Sequence, residues 1–157
     1  MKRITNNAYS SLIEAGYVKI PMNVRFRLKD IDFFTGSEPL FAGLGTIENI
    51  KDGRSYRNTA HCSYAHNQNR LPKSLRRTTI VLPEPVVDLT PLDIVHELGH
   101  ALHEMVGFDF DFIPIDEYAT TNGHEAFAQI FCQWCWWGET VDPEADILFE
   151  NFNRDMR

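Results

Sequence analysis

The sequence lacks any apolar run approaching the ~20 residues that a membrane-spanning helix requires, and its N-terminal stretch lacks the apolar core of a secretory signal. We therefore expect a cytoplasmic protein that does not bind a membrane. Cysteine is scarce: the chain has three, Cys62, Cys132 and Cys135, and it is long enough to bury a core without disulfides. Their odd number argues against a disulfide framework and favours a reducing compartment.

Positive charge is also in short supply. The chain has 15 basic and 22 acidic residues, a net charge of −7, so its overall field opposes contact with a phosphate backbone and no nucleic-acid partner is expected. No segment repeats with a period of roughly 20 to 50 residues, and none has the composition of a linker. With 43% hydrophobic and 24% charged residues, the 157 residues predict one compact domain spanning 1–157.

Local patterns predict an N-terminal helix followed by strands. Residues 5–16 carry apolar side chains at offsets of three and four, and Gly16 is placed to end that helix. Residues 24–28 alternate apolar and basic side chains, which predicts a strand with one buried face. A second strand or loop at 41–50 and a turn at 51–54 would lead into a returning strand within 56–64.

The stretch 78–82 is rich in β-branched and apolar residues and is followed by two prolines, so it predicts a more buried strand. A helix should start directly after Thr90, which can cap it, with Pro91 at the first helical position and Asp93 as the acidic member of a capping box. Apolar residues recur at offsets of three and four until Gly107, which can end the helix.

This helix carries the sequence His96-Glu97-Leu98-Gly99-His100, an H-E-x-x-H motif. Two histidines four residues apart lie on nearly the same face of a helix, one turn apart, so both imidazoles can reach a single metal ion. Glu97 lies about 100° round the helix from His96, where a carboxylate can serve as general base for water that the metal activates. The motif predicts a zinc site with His96 and His100 as ligands.

A catalytic zinc ion needs a third protein ligand. The extended pattern HExxHxxGxxH is absent, because His103 and Val106 stand at its later positions. A second helix is predicted from Asn122, and Glu125 lies in its first turn. From the residues alone the third ligand stays open between Glu125 and the following rivals: His103, Asp109, Asp111, Asp116, Glu117 and His124.

An HExxH motif followed by a glutamate that opens a second helix resembles the gluzincin metallopeptidases. The lethal-factor-like peptidases share a tyrosine seven residues before the ligand glutamate, an asparagine between them and a helix rich in phenylalanine; the matching residues here are Tyr118, Asn122, Glu125, Phe127 and Phe131. The resemblance implies that Glu125 is the third ligand. It also implies that the Tyr118 hydroxyl stabilises the oxyanion or the leaving group.

The thimet-type oligopeptidases are similar in a different way, through the segment HELGHALH and through Gln129 and Trp134 after the glutamate. Together the two likenesses cover roughly residues 78–137. Gln129 departs from the lethal-factor-like pattern, in which an acidic residue at this position usually supports a zinc ligand. A neutral amide cannot increase the basicity of a histidine ligand as a carboxylate does. The large helical shell of the oligopeptidases does not fit into 157 residues.

Cys132 and Cys135 have the C-x-x-C spacing of redox and zinc sites, but they fall inside a predicted apolar helix without a second pair. We interpret them as core residues.

The expected fold is α+β, a small zincin-like domain with a twisted, mostly antiparallel sheet from the first 82 residues packed on the metal helix. A second helix would bring Glu125 to the site, and a substrate would lie along the edge of the sheet.

The expected function is a metallopeptidase that binds one Zn²⁺ per chain and hydrolyses a protein or peptide substrate. Two alternatives are a zinc-stabilised binding or virion-assembly protein and a hydrolase of a non-peptide amide. Small acidic zincins of this kind resemble peptidases that bacteriophages and bacteria encode. Such a protein would be found in a host cytoplasm or in a virion.

Overall fold

The computed structural model describes residues 9–35, 60–68, 72–83, 87–107 and 123–154. Within these ranges the chain forms five α-helices and a three-stranded sheet, an α+β composition. The residues fall into two compact units, one of 1–11 with 30–89 and the other of 12–29 with 90–157. The predicted strand at 41–50 and the turn at 51–54 lie outside the described residues. None of the helices in the described ranges is long and apolar enough to cross a membrane.

The first unit contains the sheet. Its strands are β1 (Asp32–Thr35), β2 (His61–Ser63) and β3 (Thr79–Leu82), in the order β1-β3-β2. β3 pairs with β1 in parallel and with β2 antiparallel, so within the described residues the sheet is mixed and not mostly antiparallel as expected. The chain between β1 and β3 is far longer than the dozen or so residues that a parallel crossover needs.

The central position of β3 explains its apolar composition. All four residues of β3 are buried, and so are all four of β1, which confirms the buried strand predicted at 78–82. At the end of the sheet, the buried side chain of Gln68 donates to the carbonyl oxygens of Ser63 and Arg77 and accepts from the Arg77 amide. The Arg77 guanidinium also lies 3.1 Å from the Asp32 carboxylate, which ties the start of β3 to β1.

The helices belong to the second unit, apart from the first residues of α1. They are α1 (Ser10–Lys19), α2 (Met22–Leu28), α3 (Pro91–Val106), α4 (Gly123–Trp137) and α5 (Pro143–Arg154). The most extensive contact is between α3 and α4, and α5 packs on both α2 and α4. The core between them is aromatic, because Phe149 of α5 meets Phe127 and Phe131 of α4 with ring centroids 5.6 and 5.4 Å apart.

The strand predicted at 24–28 is wrong, because these residues form α2. Val24 and Leu28 are four residues apart and fully buried, whereas Phe26 between them is 55% exposed. A strand with alternating faces would bury all three. The side chain of Arg25 stays local as well and donates to the carbonyl of Ile20. An alternation of apolar and basic residues over five positions is therefore also compatible with a helix that buries Val24 and Leu28 on one face and leaves the Phe26 ring exposed.

The N-terminal helix is confirmed over residues 10–16, but its predicted end at Gly16 is wrong, because α1 continues to Lys19. Gly16 is buried against α3 instead. A Cβ built on it would lie 2.6 Å from the Cγ2 of Ile94, which real contacts do not allow. This glycine therefore permits the close approach of two helices and does not end one.

The start and end of α3 agree with the sequence. The Thr90 amide donates to the Asp93 carboxylate at 2.8 Å, and the reciprocal bond completes the capping box. Gly107 follows the last turn with a φ of 91°, a conformation that side chains other than glycine rarely adopt. The helix predicted to start at Asn122 is α4, which begins at Gly123.

Replacing Gly16 with alanine should destabilise the protein by about 1 to 3 kcal/mol, because the new methyl group overlaps the Ile94 side chain in a packed core. Urea denaturation measures this change in the free energy of unfolding. Glu14→Ala, at an exposed position of the same helix, serves as the control and should change it by less than about 0.5 kcal/mol. A Gly16→Ala protein as stable as the wild type would contradict the close contact.

Candidate metal centre

Two histidines and one glutamate converge between α3 and α4. His96 and His100 lie one turn apart on α3, with ring centroids 4.9 Å apart and ring planes at 83°. Glu125, in the first turn of α4, reaches both of them: its Oε2 lies 3.0 Å from Nε2 of His96 and its Oε1 lies 3.2 Å from Nε2 of His100. Both imidazoles therefore direct the same nitrogen toward one carboxylate.

These three side chains form a set of ligand atoms suited to a transition metal. One atom from each lies within 4.8 Å of the others, and among the described residues this is the one group of three or more such side chains. Two imidazole nitrogens and a carboxylate oxygen are the ligand types of catalytic zinc sites, which use three protein ligands and leave a position open. The group could hold a metal ion, and its ligand types are among those that zinc takes.

The close packing of α3 on α4 brings Glu125 within reach of the histidines. Gly99, between His96 and His100 in sequence, faces α4: a Cβ at this position would lie 3.1 Å from the Cα of Ala128 and 3.1 Å from a ring carbon of Phe131. Ala128 is one turn after Glu125, so the position of this contact along α4 also sets the position of the carboxylate. A larger residue at 99 would push the two helices apart beside His96, His100 and Glu125.

Glu97 is buried next to this group, with 7% of its surface exposed. Its Oε2 atom has no hydrogen-bond partner among the described residues. Burial raises the pKa of this carboxyl group, although the neighbouring His100 and His96 act in the opposite direction. A buried carboxylate oxygen without a partner, beside three side chains that could hold a metal ion, is a candidate proton acceptor.

Charge stabilises the contact between Glu125 and the two histidines. Burial alone would raise the pKa of Glu125, but hydrogen bonds from His100 and His96 outweigh it and hold this pKa well below its usual range. Burial alone would lower the pKa of His96, but hydrogen bonds to Cys132 and Glu125 and the charge of Glu97 raise it to about 11. The raised pKa of His96 favours its imidazolium form beside the Glu125 carboxylate.

The structure places three of the predicted site residues in one group, His96, His100 and Glu125, with Glu97 beside them. Tyr118 lies outside the described residues. The side chain of His124 is outside them too, as are the rivals Asp109, Asp111, Asp116 and Glu117. Another rival, His103, is buried and stacks on Phe127 with ring centroids 4.1 Å apart, and it does not belong to the ligand group.

One residue at the site was interpreted from the sequence only as part of the core. The Sγ atom of Cys132 lies 3.8 Å from the carbonyl oxygen of Leu92, which is one turn before His96 on α3. The available signal was its spacing, because Cys132 is seven residues after Glu125 and therefore on the same face of α4, two turns further along.

No protein-family model matches this sequence, and a search of curated proteins finds no significant match. The function must therefore be inferred from the residues and their geometry.

The metal-free protein should lose stability as pH rises from about 6.5. The pKa of His96 is raised in the fold from 6.5 to about 11, so its contribution is complete below pH 6.5 and is lost as pH increases toward 11. The raised pKa of Glu97 also removes stability as pH rises. The lowered pKa of Glu125 has the opposite effect, because it removes stability only as pH falls below 4.5, the ordinary pKa of a glutamate. Urea denaturation in a chelator at about pH 6 and about pH 9 measures the difference.

His96→Asn is the matched variant and should show a weaker decline over this pH range. Zinc should reduce the decline in the wild type, because imidazole must lose its proton to bind a metal. An unchanged slope in His96→Asn would contradict the assigned role of the imidazolium.

Proposed function

We propose that this chain is a zinc-dependent peptidase of the gluzincin type. His96, His100 and Glu125 would hold one zinc ion, and Glu97 would be the general base. The observation that carries the proposal is the placement of an unpartnered, buried Glu97 carboxylate oxygen beside a group of three convergent metal-ligand side chains.

The number of ligands favours a catalytic ion over a structural one. Structural zinc sites normally have four protein ligands, whereas catalytic sites have three and keep one position for water or substrate. The ligand group here has three members within the described residues. When bound, zinc lowers the pKa of water to about 7 and polarises a carbonyl group.

Glu97 would move the proton in this reaction. Its free Oε2 can accept a proton from the attacking water and then deliver it to the leaving amine of the cleaved bond. Burial raises its pKa, so the carboxylate has a higher proton affinity than an exposed glutamate and is a better base near neutral pH. A binding protein that kept zinc only for stability would have no use for this buried and unpaired group, whose desolvation destabilises the fold.

Tyr118 remains a prediction of the resemblance. Its hydroxyl group would donate a hydrogen bond to the oxyanion of the transition state or to the leaving group. The expected substrate is a protein or peptide, and the expected compartment is the cytoplasm.

Glu125→Ala should lose most of its bound zinc, because it removes one of three ligands. Glu97→Gln should keep zinc but lose about 10²- to 10⁴-fold in cleavage rate, the usual contribution of general acid-base catalysis. Elemental analysis of the purified proteins measures the metal, and a diverse peptide library measures cleavage. Glu139→Gln, an exposed glutamate beyond the end of α4, is the control and should match the wild type in both assays.

Each outcome separates the candidate functions. A wild type that carries no zinc contradicts the metal centre. Zinc retained by Glu125→Ala contradicts this third ligand, and His124→Ala is the next variant to measure. If the wild type binds zinc and cleaves no peptide, non-peptide amides are tested with the same Glu97→Gln comparison, and inactivity on these as well favours the binding or assembly protein.

Tyr118→Phe should reduce kcat by about 10²- to 10³-fold and leave KM and zinc content unchanged, as expected for a donor that acts in the transition state. Steady-state kinetics on a peptide from the library measure both constants. A variant with wild-type kcat would show that this hydroxyl group has no part in the reaction.

A further inference from the structure

The end of α1 and the outer face of α2 form a surface on which apolar side chains are exposed. Val18, Met22 and Phe26 are 67%, 75% and 55% exposed. On α2, Met22, Phe26 and Lys29 follow one another at intervals of four and three residues, so they share the face that points away from the core. Large apolar side chains on an exposed helix face are typical of a binding surface.

Arg25 connects the two helices at this surface. Its guanidinium donates to the carbonyl oxygens of Val18 and Ile20 at 3.2 and 3.0 Å, which holds Val18 beside α2. The Nζ atom of Lys29 lies 3.9 Å from the centre of the Phe26 ring. Among the described residues, neither of these basic side chains forms an ion pair with a carboxylate. We name this surface the basic surface; its members are Val18, Met22, Arg25, Phe26 and Lys29.

A second exposed surface of the same unit lies where α4 leads into α5. Trp137, Val141 and Ile147 are 70%, 58% and 62% exposed. The Val141 amide donates to Oε1 of Gln133, one turn before Trp137 on α4, so Val141 lies beside this helix. Glu144 is exposed on α5 three residues before Ile147, on the same face. We name this surface the acidic surface; its members are Trp137, Val141, Glu144 and Ile147.

The two surfaces carry opposite charge. The stretch 18–29 contains four basic residues and no acidic one, whereas the stretch 141–150 contains four acidic residues and no basic one. The surfaces are also neighbours, because α5 packs on α2 and the Nζ atom of Lys19 lies 5.5 Å from the Trp136 ring. Each surface therefore presents three exposed apolar side chains together with charge that the other surface complements.

We propose that this chain binds a second copy of itself, with the basic surface of each copy against the acidic surface of the other. Two neighbouring surfaces of opposite charge can both be used in a twofold dimer, because the axis brings each one against its opposite. Aromatic residues, methionine and arginine are enriched at the centres of protein contacts. Charge complementarity selects this pairing over contacts between like surfaces. The inference does not depend on the zinc site.

Sedimentation equilibrium of the purified full chain, from about 1 to about 100 µM, tests the association. We expect the wild type to form a dimer of the 18.1 kDa chain toward the upper concentrations. Phe26→Glu and Trp137→Glu, one on each surface, should each weaken the dimer by at least about 10-fold, because each removes a large apolar contact. Leu75→Glu is the matched control, since Leu75 is 56% exposed in the other unit, and it should associate as the wild type does. Circular dichroism verifies that all four proteins are folded.

Charge reversal tests whether the two surfaces meet each other. Lys29→Glu and Glu144→Lys should each weaken the dimer, because each places like charges in the contact. An equimolar mixture of the two variants should restore association to near the wild-type level. In the mixed pair, the reversed surface of one variant meets the reversed surface of the other, and the second contact keeps the native charges.

Three results would overturn this proposal. The first is a wild type that stays a single chain over the whole concentration range. The second is a dimer that Phe26→Glu or Trp137→Glu leaves unchanged, since the contact then lies elsewhere. The third is a mixture of the charge-reversed variants that associates no better than either variant alone.

Discussion

The close contact of α3 with α4 is the constraint on which the group of His96, His100 and Glu125 depends. At Gly99 the backbone of α3 approaches Ala128 so closely that even a methyl group would be 3.1 Å from the facing Cα. This approach lets Glu125, one turn before Ala128, reach both histidines with opposite oxygens of one carboxylate. The same contact presses Cys132 against the turn of α3 that precedes His96. Packing between two helices therefore determines the ligand geometry.

The site combines favourable and unfavourable electrostatics. Glu125 and His96 stabilise each other in the metal-free protein, which lowers one pKa and raises the other. Glu97 is buried without a partner for one oxygen, an arrangement that costs stability and is typical of groups retained for chemistry.

Much of the local structure could be predicted from the sequence, because its causes are local. The capping box at Thr90 and the glycine at 107 mark the two ends of α3, and both agree with the structure. The buried strand at 78–82 was also predictable from its composition. The failures were patterns with two interpretations: the alternation at 24–28 fits α2 equally well, and Gly16 allows a close helix contact where a helix end was predicted.

By itself, the sequence determined that His96 and His100 share one face of a helix, since the spacing of four residues and the helical period are both local properties. Only the tertiary structure decided which more distant residues join them. Glu125 is separated from the motif by a stretch of chain whose path no short-range rule gives, and it meets His96 because α4 packs on α3. The parallel pairing of β1 with β3 was undetermined for the same reason: it depends on contacts between residues far apart in the chain, and spacing within a segment carries no information about them.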